Sequence, residues 1–184
     1  GSGDYSNYLS AIPANVASFS YHHIADRLAW NENTLAEEAL IFSDLLSEGI
    51  VKGHLEQSND PGFHILHVND PEAMEVWLES HGQKVEPLMG RPLWTEVDMT
   101  SAQALFPGQH FEAENKVSLF DEHLICSPQS AVLKEVLLQL RANESLAQDA
   151  YFDELNDDMD TEAALLYYFN IARCAPLIQS SASD

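Results

Sequence analysis

Residues 45–68 read LLSEGIVKGHLEQSNDPGFHILHV, and the punctuation of this stretch decides the expected fold. Gly49 offers the residue that ends a helix, because glycine takes the left-handed conformation without steric cost. Residues 50–56 then read as a strand, Ser58-Asn59-Asp60-Pro61-Gly62 as dense turn chemistry, and residues 63–68 as a second strand. Upstream, Leu35, Ala39, Phe42 and Leu46 recur at helical spacing behind an N-cap offered by Asn33. Tyr21, Ile24 and Leu28 mark an earlier helix, broken at Asn31-Glu32-Asn33. The expected order is helix, turn, helix, strand, turn, strand.

That order resembles a winged helix, and the quoted run resembles the wing of the modules that close PCI-type assembly subunits. The resemblance covers about 50 residues and implies a winged-helix-like unit over 20–68. A winged helix that reads DNA needs a basic second helix and wing. From Ser20 to Val68 there are two bases against eight acids, a charge of −6, which repels phosphates. Protein docking is therefore the use expected of it.

A second unit is expected over 69–178. Asp70-Pro71-Glu72 opens a helix with a cap, a proline at the first position and an acid in the first turn. The helix carries Ala73, Val76 and Trp77 and ends near Gly82. Residues 84–88 and 93–99 read as short strands, Thr100 as the cap of a short helix stopped by Pro107-Gly108, and 116–126 as another strand. Ser127-Pro128 opens a helix with Leu133, Val136, Leu137 and Leu140 on one stripe. From residue 63 onward this order suits a split βαβ sandwich. Ala163, Leu166, Tyr167, Phe169 and Ile171 suggest a final buried helix. Residues 1–19 are expected as a flexible arm or short helix and 179–184 as a disordered tail. The fold class is α+β.

The chain has 184 residues, 8 Lys+Arg against 30 Asp+Glu, a net charge of −22, and 45% apolar residues. It can bury a core, and its charge excludes bare nucleic acid and anionic membranes as direct partners. There is no apolar run of membrane-spanning length and no signal-peptide pattern. Gly1-Ser2-Gly3 reads as a fusion scar, so the native start is expected upstream. Cys126 and Cys174 have no metal or redox spacing and read as reduced core thiols of a cytoplasmic protein.

One run looks catalytic. Leu93-Trp94-Thr95-Glu96-Val97-Asp98-Met99 resembles the acid-x-acid metal motif of GT-A glycosyltransferases. That resemblance implies Glu96 and Asp98 holding Mn²⁺ or Mg²⁺ against a nucleotide diphosphate leaving group. The run from Phe120 to Leu140 resembles the strand, proline and helix that follow in those enzymes. The first acid is Glu96 where the family has Asp, and Arg91-Pro92-Leu93-Trp94 replaces its glycine-rich approach.

The histidines offer a weaker metal reading. His64 and His67 lie three apart, so on a strand they point to opposite faces, with His54 opposite and His22-His23 upstream.

Residues 144–162 hold eight acids and no base: Glu144, Asp149, Asp153, Glu154, Asp157, Asp158, Asp160 and Glu162. Asn156, Asp158 and Asp160 alternate as calcium ligands do, but Thr161 and Tyr167 stand where an EF-hand needs Gly and Glu. The expected role is a non-catalytic adaptor, inhibitor, immunity or assembly protein with a basic protein partner, needing no metal or cofactor. A DNA mimic that fills a partner's basic groove is the sharper form. Asp149, Asp153, Glu154, Asp157, Asp158 and Asp160 are the expected partner-binding residues. The alternative is the metal-dependent transferase using Glu96 and Asp98.

Overall fold

A computed structural model describes residues 2–23, 37–56, 61–106, 108–112 and 114–174. In chain order come β1 (Gly3–Asp4), a 3-10 turn at Tyr5–Tyr8, β2 (Val16–His23), α1 (Glu37–Asp44), β3 (Leu46–Leu55) and β4 (Phe63–Val68). Then follow α2 (Pro71–His81), β5 (Gln83–Leu88), β6 (Arg91–Val97), α3 (Thr100–Leu105), β7 (Asn115–Phe120) and β8 (His123–Ser127). The chain continues through α4 (Ser130–Arg141), a 3-10 turn at Leu146–Gln148, α5 (Ala150–Asn156), β9 (Glu162–Ala163) and β10 (Leu165–Phe169).

Eight strands form one antiparallel sheet in the order β10-β2-β3-β4-β8-β7-β6-β5, and β1 pairs separately with β9. At the centre of the sheet, β4 turns apolar residues to both faces. Phe63 and Ile65 of β4 enter the core on one face, and Leu66 and Val68 enter it on the other. A strand covered on both faces has no need of polar alternation. On the first face Val51, Ile65 and Ile125 pack under α4, together with Tyr5, Tyr8 and Ile12. On the second, Ile50, Leu124, Cys126 and Trp94 pack with Phe42 of α1, Met74, Trp77 and Leu78 of α2, and Ala102 and Leu105 of α3. The protein is an α+β fold, a helix-covered antiparallel sheet. No described helix is long and apolar enough to cross a membrane.

Two helices form as their local chemistry dictates. The Asp70 side chain accepts from the Ala73 amide at 3.0 Å, Pro71 starts α2, and Gly82 caps its end. The α4 stripe of Leu133, Val136, Leu137 and Leu140 is buried as one face.

Other expectations are corrected. Tyr21 belongs to strand β2 rather than a helix; Ile24, Leu28, Asn31–Asn33 and Leu35 lie outside the described residues. Among the described residues of 20–68 there is thus one helix, not two. It ends at Asp44 rather than Gly49, because Leu46 pairs with Val68 and the β3 ladder captures the chain. Gly49 sits in that strand, with room beside it only for hydrogen against the Tyr8 and Tyr21 rings.

The expected strand 116–126 is the hairpin β7–β8, turned at Asp121 with a positive φ of 53°. The split βαβ order is replaced by an antiparallel meander from β5 to β8, with β8 pairing β4. The sheet thus runs across the boundary drawn at residue 68. The final helix expected from Ala163 to Ile171 is instead β10, an edge strand on β2. Residues 2–19 are built in: Tyr5, Tyr8 and Ile12 are core, and Arg173 reaches back to the Ala14 and Val16 carbonyls. Turn residues 58–60, Pro107 and the tail 179–184 lie outside the described residues.

Candidate functional site

The acidic stretch is anchored before it is displayed. Leu146 donates its amide to Ile12 and is buried, and Ala147 donates to Leu9. Asp149 then caps α5, accepting from the Tyr151 and Phe152 amides at 3.0 and 3.1 Å. Phe152 points inward, its ring 6.3 Å from Phe19 and 5.4 Å from Tyr168 of β10. With Phe152 fixed in the core, helical geometry turns Tyr151, Asp153, Glu154 and Leu155 outward. Tyr151 is 74% exposed and Leu155, one turn on, is 48% exposed. Asp153, Glu154, Asp157 and Asp158 surround them, all exposed.

The six predicted acids therefore divide. Asp149 is an N-cap, and Asp160 holds the Glu162 amide at 3.0 Å in the turn into β9. Asp153, Glu154, Asp157 and Asp158 form no ion pair among the described residues. The calcium-like alternation is spoken for: Asn156 accepts from the Tyr5 hydroxyl at 2.7 Å, and Asp160 serves the turn. Tyr151 and Leu155 were missed in the sequence, where the acids around them are the visible signal. Their exposure follows from the direction in which Phe152 is pinned.

Glu96 and Asp98 lie where β6 ends in a bulge. Glu96 has a positive φ of 57°, and the register with β7 shifts between Trp94 and Val97. Asp98 accepts from the Thr100 amide at 2.9 Å and so starts α3, in place of a Thr100 cap. Arg91 pairs with Asp121 at 3.1 Å and lies over the Phe120 ring. Among the described residues no group of three or more His, Cys, Asp and Glu is placed to hold a metal ion.

The histidines separate by face. His64 is buried against Phe111 at 4.3 Å between ring centroids, and burial holds its pKa down at about 3. His67 faces the other way, 5.2 Å from His123 and 6.2 Å from Tyr8. An open polar cleft of about 480 Å³ lies here, lined among others by Asp4, Tyr8, Tyr21, His23, Ser47 and His67.

Within it Ser47 Oγ is 2.7 Å from His67 Nδ1, and His67 Nε2 is 3.8 Å from Glu122. The arrangement has the members of a hydrolytic triad, but its protons run the wrong way. Asn69 donates its amide to the Leu46 carbonyl, so its oxygen must accept from Ser47 at 2.8 Å. With the serine proton spent there, His67 Nδ1 must donate to Ser47. It cannot then act as the base that activates it. Cys126 is a buried free thiol pushed up to about 12 by burial, unsuited to nucleophilic work.

No family model and no curated protein matches the chain. A solved structure, "Structure of crystal form I of TP0453", is similar at 12% identity and a TM-score of 0.45. The match covers 88% of this chain and 62% of that one, so the chain spans under two thirds of its length.

Proposed function

We propose that this chain is a non-catalytic protein-interaction module whose α5 face docks a basic partner. The observation that carries the reading is the pair Tyr151 and Leu155, exposed one turn apart among four carboxylates that cap nothing and pair with nothing described. Exposed apolar side chains rimmed by charge are the composition of a docking surface, apolar for affinity and charged for steering and selectivity. The excess of acid over base extends the attraction to long range. An inhibitor, immunity protein or DNA mimic that occupies a basic nucleic-acid groove is the sharper form of the same proposal. The free thiols Cys126 and Cys174 suit a reducing compartment, and cytoplasmic residence is part of this reading.

The test compares wild type with the fourfold variant Asp153→Asn, Glu154→Gln, Asp157→Asn, Asp158→Asn. Both are used to capture partners at low and raised salt, and association rates of the captured protein are then measured. A basic protein held by wild type, released by salt and bound several-fold more slowly by the variant is the expected result. Equal rates and equal salt dependence for both forms would overturn the reading.

A further inference from the structure

The two edges of the eight-stranded sheet are built differently. β5 is defended: it carries Lys84, Glu86 and Pro87, and its register shifts between Val85 and Leu88. Lys84 is also tied to Glu75 and Glu79 of α2 at 2.8 and 2.9 Å. Charge, proline and irregular register are the usual devices that keep a sheet edge from accepting another strand. β10 has none of them. Leu165-Leu166-Tyr167-Tyr168-Phe169 contains no charge and no proline, and it pairs with β2 in unbroken register over all five residues.

The side chains of β10 sort by face. Tyr167 and Phe169 are 58% and 64% exposed on one face, their rings stacked with centroids 6.4 Å apart and Tyr167 set edge-on to His22. On the other face Tyr168 packs against Phe152, the residue that anchors α5. A strand added to this edge would run past two bare aromatic rings on one face and past the acidic helix on the other.

We propose that β10 accepts, by strand addition, an extended segment of the basic partner in which apolar residues alternate with Lys or Arg. Period-two alternation sends the apolar side chains to Tyr167 and Phe169 and the cations to the α5 side. A second copy of this chain is the poorer occupant. Antiparallel pairing of two β10 edges about a two-fold axis normal to the sheet places both α5 helices on the same face of the joined sheet. Two acidic helices would then share one face, in a complex of two chains each of charge −22. The proposal rests on the reading of α5 as a docking face and adds the mode of docking.

The experiment uses synthetic peptides of about seven residues, long enough to span a typical strand. One alternates Val and Lys; one has the same composition in two blocks; one is the alternating peptide with N-methyl groups on one backbone edge. Binding to the full chain is measured together with amide exchange at residues 165–169. The alternating peptide should bind at least about tenfold more tightly than the block peptide and lose that advantage on N-methylation. It should also slow exchange in β10. Tyr167→Lys with Phe169→Lys, both at exposed positions, should abolish the advantage without altering the melting temperature by more than a few degrees.

If alternating and block peptides bind equally and only the fourfold carboxylate variant weakens them, strand addition is wrong and the α5 face stands. If that fourfold variant changes neither peptide's binding, the α5 reading fails. No binding of any peptide, or dimers of the wild-type chain that Tyr167→Lys dissolves, would also overturn the proposal.

Discussion

His64 shows what burial does to a single titratable group. It sits on β4 opposite Cys126, stacked on Phe111, with Gln109 and His110 from the loop after α3 and Lys52 and His54 from β3 around it. Desolvation is the main cause of its low value near 3, and the neighbouring cations add to it. The folded state keeps the ring neutral, while the unfolded chain protonates it near pH 6.5. Stability from this residue is thus full above about pH 6.5 and is lost as pH falls toward 3, at up to about 1.4 kcal/mol per pH unit. Denaturant titrations of wild type and His64→Gln from pH 7 to 4 measure this. The wild type should weaken more steeply, so any gap between them narrows with acid. Parallel pH curves would show that the ring gains its proton within the fold. That a histidine stands in this strand was legible in the sequence, and the opposite facing of His64 and His67 followed from the two-residue period. Which of them was buried depended on Phe111, which the sequence places 47 positions away.

At the scale of the element, α5 separates structural acids from displayed ones. Asp149 satisfies two amides of the first turn, so Asp149→Ala should cost about 1 kcal/mol. Asp153→Asn, Glu154→Gln, Asp157→Asn and Asp158→Asn should each shift stability by less than about 0.5 kcal/mol, because exposed charges contribute little. Thermal denaturation of the five single variants distinguishes the two groups, and a large loss from any of the four would place that carboxylate in the structural group. The sequence showed the run of acids but could not sort them. Capping depends on where the helix begins, and α5 begins at Ala150 because Leu146 and Phe152 are both pulled into the core.

At the scale of the whole molecule, charge is the dominant property. Of the eight Lys and Arg residues, Lys84 and Arg91 are held in ion pairs, while Lys116 and Arg173 serve backbone carbonyls. The positive charge that remains is outweighed by 30 acids and is poorly suited to gather phosphates. Fluorescence anisotropy with a random DNA duplex should show no sub-micromolar complex at physiological salt. A tight complex that weakens with salt would contradict both the electrostatics and the proposed preference for basic partners.

Features with local causes were legible in the residues themselves. The cap and proline at the start of α2, the stripe of α4, the apolar run of β4 and the excess of acids each follow from neighbouring residues. β2, the length of β3 and the strand nature of β10 came instead from long-range pairing. Tyr21 and the apolar residues of 163–171 fit a helical period, but a strand is stabilised by partners that can lie far along the chain. Tyr167 meets Ser20, and Leu46 meets Val68, through hydrogen-bonded ladders that no local spacing encodes. The edge at β10 exists for the same reason: which strand is outermost is set by the pairing of the whole sheet, not by the five residues that form it.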